Sequence, residues 1–250
     1  MSIAAEALTG LPEVHPGDDP AALIAAAMPE GAPRPGDVLV VAHKFISKAE
    51  GRLRTLASVT PGPRAVALAA DLGKDPRHVQ VVLDETREVR RAAHGVLISV
   101  THHGFVCANA GVDASNAPAE DTVILLPVDP DDSARRLRAG LRGRLGTAPA
   151  IVITDSFGRA WRHGQCDVAI GCAGLRVLDD WRGRADARGR ELKATLIAIA
   201  DELAAAADLA RAKDAMQAAV LVRGADRHVT DEDGPGVAPL LRGAADDLFR

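Results

Sequence analysis

Helices and strands both run through this 250-residue sequence, which reads as a mixed α/β protein. Short apolar runs such as VLVVA (38–42), TVILLP (122–127) and APAIVIT (148–154) have the length and β-branched content of buried strands. Between them lie stretches with apolar residues at helical spacing. The clearest is 191–213, where Leu192, Leu196, Ile199, Leu203 and Leu209 recur. The chain is 47% hydrophobic but only 2% aromatic, so Ala, Val, Leu and Ile must build the core. Its length suits one large domain or two intimate ones.

The first segment, LTGLPEVHPGDDP, is rich in turn residues and ends in Asp18 and Asp19, either of which can cap the helix AALIAAAM. A Pro-Gly-Asp turn then opens the strand VLVVA, which delivers His43, Lys44, Ser47, Lys48, Glu50 and Arg52. Cations and a serine just past a strand can hold phosphate oxygens, or can form a solvated turn and helix start. Residues 61–73 read as a helix. VQVVLD (79–84) and HGVLISVTHHGFVCANAG (94–111) read as strands separated by a charged segment, in which Arg87, Arg90 and Arg91 suggest a solvated helix face. NAGVDASN (109–116) gathers Asn109, Asp113, Ser115 and Asn116 around Gly111, as a structural turn would or as a site for a hard cation or sugar–phosphate would. TVILLP is a strand. DPDDS then caps an amphipathic helix carrying Leu137 and Leu141. Beyond Gly174 the chain runs through a charged loop, the long helical stretch, the strand AVLVR (219–223) and a turn with a short terminal helix.

A net charge of −4 argues against a general nucleic-acid binder. No apolar run approaches the roughly 20 residues of a membrane span, and the start of the chain lacks the pattern of a signal peptide. Three cysteines without a CxxC pair suggest reduced thiols in a cytoplasmic protein. GxxxxGK[ST], GxGxxG after a strand, HExxH and GxSxG are all missing.

The densest chemistry lies in ITDSFGRAWRHGQCDVAIGCAG (153–174). An apolar run ending in Asp155 and Ser156 reads as a strand bringing polar groups to a sheet edge, where a ligand or metal can pair with them. His102 and His103, adjacent in a strand, would face opposite sides and share no metal. His163 reads as a hydrogen-bonded structural group, and Cys166 and Cys172 as packed thiols. Asp113 and Asp155 beside hydroxyl or amide groups, with a basic cluster at 44–52, make up the toolkit of phosphoryl transfer.

GLPEV and PGDD near the start, GDVLVVAHKFISKAEGR, the Glu85 segment, HGFVCANAGVDASN and the 153–174 stretch occur in an order that resembles the coenzyme F420-0:L-glutamate ligase (F420 gamma-glutamyl ligase) family. The resemblance implies a mixed α+β fold of two subdomains with mixed sheets and an intertwined homodimer. It implies one catalytic domain over residues 1–250, without the C-terminal reductase-like domain that some bacterial relatives carry. It also implies a cytoplasmic ligase that adds L-glutamate to F420-0 with GTP, through an acyl phosphate, using Mg2+ or Mn2+ (two ions) and K+. Carried over by position, guanine-nucleotide contacts fall on Leu11, Pro12, Glu13, Val14, Ser47, Lys48, Arg52 and Asn116. Metal ligands fall on Asp113, Asp155 and Ser156, with Asp113 and Asp155 also catalytic. Arg159 and Arg162 can hold substrate carboxylates or phosphates, or pair structurally with an Asp. One segment departs from the family. Where relatives carry a turn such as Met-Gly-Gln or Met-Gly-Lys for the nucleotide and second metal, Arg211, Ala212 and Lys213 stand here. That departure keeps two other readings open: a ligase acting on another carboxylated acceptor, and a nucleotide- or deazaflavin-binding protein without catalysis.

Overall fold

The computed structural model describes residues 2–212 and 214–247. In chain order the elements are β1 (Ala4–Ala7), α1 (Pro20–Ala27), β2 (Val38–Ala42), α2 (His43–Ala49), β3 (Leu53–Thr55), α3 (Pro63–Leu72) and α4 (Pro76–Asp84). Then come β4 (Thr86–Ala93), β5 (Val96–Thr101), β6 (Val106–Ala108), β7 (Thr122–Ile124), α5 (Pro130–Leu145), β8 (Ala150–Arg159) and β9 (Arg162–Ala173). The last are β10 (Asp179–Asp180), β11 (Leu196–Ile197), α6 (Ile199–Asp208) and β12 (Ala219–Arg223).

The main sheet has strand order β1-β12-β2-β8-β9. It is mixed, because β2 and β8 run parallel while the other neighbours are antiparallel. This settles the fold class as mixed α/β. The central strands are buried on both faces, which explains why VLVVA and AIVIT are continuous apolar runs without polar alternation. Helix α5 lies against β8 and β9, and α6 packs across β9 towards β1 and β12. A second body is built from the antiparallel sheet β4-β5-β6, the β3–β7 pair and the helices α3 and α4. It has its own apolar cluster, centred on Ala65, Val79, Val82, Leu97, Val112 and Val123.

Helix starts follow the expected chemistry. Asp19 caps α1 by accepting from the Ala21 and Ala22 amides, and Asp129 caps α5 by accepting from that of Asp132. Three expected elements come out differently. VQVVLD is the body of helix α4: Asp75 caps it, Pro76 sits in its first turn, and Val79 and Val82 share a buried face three residues apart. The charged segment after it is strand β4, at the edge of its sheet, where exposed arginines are accommodated. The long helical pattern forms a helix only from Ile199, because Leu196 and Ile197 pair with Asp179 and Asp180 as β11. His102 and His103 lie in the turn after β5, each ring bonding a backbone carbonyl.

Candidate functional site

The site is built where β8 outruns its parallel neighbour. The register of β2 against β8 ends at Ala42 opposite Thr154, so Asp155 lies one residue beyond the last paired position. Asp155 and Ser156 are thus inside strand β8, which continues to Arg159, and past the end of β2. There the chain of β2 turns directly into α2. The first α2 residue, His43, is buried, with Nδ1 3.2 Å from Ser47 Oγ and Nε2 3.4 Å from Asp155 Oδ1. Among the described residues that Nε2 has no hydrogen-bond partner. The next residue, Lys44, places Nζ 2.5 Å from Asp113 Oδ2 and donates to Ser115 Oγ at 2.5 Å. Two consecutive residues of one helix therefore address two carboxylates from distant parts of the chain.

Asp113 is held rigidly. Its backbone exchanges hydrogen bonds with Ile124 at 3.0 and 2.8 Å, and its carboxylate accepts from the Ser115 amide at 2.7 Å and hydroxyl at 2.8 Å. Burial favours the neutral acid, but the hydrogen bonds and charge of Lys44 and Ser115 together outweigh it and hold the carboxyl below its usual range. The approach to this turn is strained: Asn109 and Ala110 have φ of 50° and 52°. Cys107 lies within the electrostatic reach of Asp155, and its thiol is pushed up to about 12 by burial and then by the charge of Asp155.

Neighbouring strand residues point to opposite faces, and Asp155 and Ser156 do so. Ser156 Oγ donates to Asp167 Oδ1 at 2.6 Å, while Thr154 Oγ1 donates to Asp167 Oδ2 at 2.8 Å. Arg211, just after α6, pairs with the same carboxylate and reaches Thr154 Oγ1 at 3.2 Å. Its Nε is 3.5 Å from Asp208 Oδ1. The three residues expected to ligate metal thus divide between two polar clusters, Asp113 and Asp155 beside α2, and Ser156 beside Asp167. Lys213, the last residue of the divergent segment, lies outside the described residues.

The expected nucleotide contacts are placed as follows. Leu11 and Val14 are buried; Pro12 and Glu13 are exposed. Glu13 reaches over to Lys48, 2.5 Å away. Ser47 is buried against His43. Arg52 donates to the Leu126 carbonyl and to Glu85, both at 2.8 Å. Asn116 is exposed, at a φ of 58°. Arg159 folds back onto the carbonyl of His163 in its own hairpin, and Arg162 is exposed. Thr154 and Asp167 join the site from the structure, hinted at only by their place in the 148–174 region, and His43, Lys44 and Arg211, named in the sequence within the basic cluster and the divergent segment, gain carboxylate partners there.

Among the described residues no three or more His, Cys, Asp or Glu side chains gather as a ready-made metal cage. A hard cation such as Mg2+ needs less, since it keeps waters and takes one or two carboxylates plus substrate phosphates. The hydrogen-bonded Asp113 carboxylate and Asp155, facing consecutive residues of α2, are of the kind that requirement names. Each already faces a basic side chain, Lys44 or His43, at ion-pair distance.

The profile of the family described as F420-0:gamma-glutamyl ligase matches residues 10–224. The chain is 42% identical over its full length to the coenzyme F420:L-glutamate ligase of Methanothermobacter thermautotrophicus, all of which is covered. It is 46% identical to that of Methanopyrus kandleri, over 95% of this chain and 94% of the relative. It is 43% identical to that of Haloarcula marismortui, over 98% and 94%. With a family match spanning residues 10–224 and relatives this similar over nearly their whole length, the chain belongs to the F420-0:gamma-glutamyl ligase family.

Proposed function

We propose that this chain joins L-glutamate to coenzyme F420-0 at the expense of GTP. The observation that carries the reading is the tip of α2, where His43 and Lys44 meet Asp155 and Asp113 between the residues matched to nucleotide contacts. The relatives' shared name supports the substrate class. An acceptor carboxylate oxygen attacks the γ-phosphorus of GTP, and the bond from that phosphorus to GDP breaks. The amine of glutamate then attacks the acyl carbon, the carbon–oxygen bond to phosphate breaks, and the amine gives up a proton as the amide forms. Asp113 and Asp155 would hold Mg2+ or Mn2+, which when bound offsets phosphate charge. Lys44, Lys48 and Arg52 supply cations for the phosphates. Each is paired with a carboxylate in the free protein, to Asp113, Glu13 and Glu85, so the ligand's phosphates compete for charges that are already positioned. Leu11, Pro12, Glu13 and Val14 line the nucleotide base, with Asn116 from the opposite turn.

A second reading, ligation to another carboxylated acceptor, is favoured by Arg211 bonding Asp167 where relatives carry a small turn. Purified protein given F420-0, glutamate, GTP and Mn2+ decides between them: mass spectrometry shows F420-0 extended by glutamyl units. Asp155→Asn lowers that rate by about 100-fold or more, the scale of losing one charge-stabilising group. Folded wild-type protein that leaves F420-0 unextended overturns the leading reading. Nucleotide binding without phosphate release would point to a binding protein.

A further inference from the structure

The cations matched to the phosphates come with their own counter-charges: Lys44 meets Asp113, Lys48 meets Glu13 and Arg52 meets Glu85. Lys74, on the smaller body, departs from this pattern. It follows Gly73, the left-handed residue that ends α3, and its ammonium donates to Asn109 Oδ1 at 3.1 Å. Among the described residues no carboxylate lies at ion-pair distance from it. The acid next to it in sequence, Asp75, caps α4 and pairs with Arg77, and Asp113 is taken up by Lys44. Lys74 is half-buried, and burial pushes its ammonium below the usual lysine range with no neighbouring anion to oppose the shift. A partly desolvated cation without a counter-ion gains when an anion arrives.

The bond to Asn109 ties this cation to the turn that leads to Asp113. Asn109, Ala110 and Gly111 have φ of 50°, 52° and 72°, and the turn is packed so closely that a Cβ on Gly111 would lie 2.7 Å from the Leu126 side chain. Asn109 Oδ1 also accepts from the Leu97 amide at 3.4 Å. His78, on α4, feels the charges of both Lys74 and Asp113, which places the three side chains in one electrostatic neighbourhood. Burial first, then the charge of Lys74, lowers the pKa of His78, so above pH 7 its ring is neutral and Lys74 is the cation of the group. In the ligase reading the phosphates have Lys44, Lys48 and Arg52. The incoming amino acid brings carboxylates of its own, and its amine must reach the acyl carbon beside the phosphate and cation at Asp113.

We propose that Lys74, held in place by Asn109, binds a carboxylate of the incoming amino acid on the smaller body's side of Asp113. The inference rests on the ligase reading given above.

The test follows extension of F420-0 by the whole protein with three amines: glutamate, γ-aminobutyrate, which lacks the α-carboxylate, and α-aminobutyrate, which lacks the side-chain carboxylate. Wild type is expected to use glutamate about 10–100-fold better than at least one of the two analogues, the scale of one hydrogen bond to a charged group. Lys74→Met is expected to raise KM for glutamate by about the same factor, to abolish one of these preferences and to leave KM for GTP within about twofold. The preference that disappears identifies the carboxylate that Lys74 holds. Lys74→Arg, which keeps the charge, is expected to retain it. Wild type that uses both analogues as well as glutamate overturns the proposal, and that comparison needs no variant to fold. An unchanged glutamate KM in folded Lys74→Met overturns it too, as does a rise in KM for GTP in place of glutamate, which would make the bound anion a phosphate. Wild type that leaves F420-0 unextended with glutamate overturns the ligase reading, and the proposal falls with it.

Discussion

Asp155 and Ser156 are adjacent in sequence, yet the strand sends them to different partners, one to His43 and one to Asp167. The sequence marked both as functional candidates but could not separate them, because the face each takes depends on where β2 stops pairing with β8. The same limit hid Lys44, which lies 69 residues from Asp113 and was visible only as one cation in a basic cluster. The cysteines were more legible. Cys107 and Cys172 were both expected to be reduced, Cys172 as a packed thiol, and both are buried. Burial lifts each thiol to about 12, aided by the negative charge of Asp155 near Cys107 and of Asp131 near Cys172. A raised thiol pKa means that the thiolate is missing at lower pH, so at about pH 8 neither should attack a disulfide reagent. Cys166, also expected to be a packed thiol, is only half-buried on the hairpin. Native protein treated with Ellman's reagent at about pH 8 should therefore release one equivalent quickly, and three once unfolded. Fast release of two or more from native protein would contradict this packing.

Elements were legible where local chemistry decides them and misread where a distant partner does. Caps announced α1 and α5, an apolar face announced α3, and apolar runs announced β2, β8 and β12. Segment 79–84 looked like a strand because its valines favour strands, yet the Asp75–Pro76 start and the packing of α4 on α3 prevail. The first third of the long helical pattern was lost to a pairing with Asp179 and Asp180 that no local signal announces. The contact between α5 and β9 shows how closely the site's scaffold is packed. A Cβ on Gly171 would lie 2.3 Å from the carbonyl oxygen of Pro130, a backbone atom that cannot rotate away. Just beyond, the Cys172 amide donates to Asp131 at 2.8 Å, locking the first turn of α5 to the strand. Gly171→Ala should destabilise the protein by about 1–3 kcal/mol, the usual cost of overpacking, seen as a lower urea midpoint. Because Asp167 is four residues upstream on the same strand, activity should fall as well. An unchanged midpoint would mean that α5 and β9 can separate without cost.

At the scale of the whole molecule the site lies at the seam between two apolar clusters. Phe45, Ile46 and Ala49 anchor α2 in the larger one, while Ala110 and Val112 anchor the 109–113 turn in the smaller. Charged pairs bridge them: Lys44 crosses to Asp113, and Arg52, just past α2, crosses to Glu85 at the end of α4. None of this was visible in the sequence, since a seam is a property of the assembled chain. A ligand whose phosphates engage Lys44, Lys48 and Arg52 while its cation engages Asp113 would bind both bodies at once, and only when both are folded. Binding to the native state alone adds about 2.7 kcal/mol of stability at a ligand concentration 100 times its Kd. For a chain of this size that corresponds to a rise in Tm of about 5–10 °C. GTP with Mg2+ should produce that rise, Mg2+ alone much less, and ATP a smaller shift if the 11–14 loop selects guanine. Asp113→Asn should remove most of the shift while keeping the fold, because it deletes the cation's anchor on the smaller body. Differential scanning calorimetry of the two proteins with each nucleotide measures all of these shifts. A full GTP shift in Asp113→Asn would place the nucleotide away from the seam, and would leave the bridging pairs as structural ties between the two bodies.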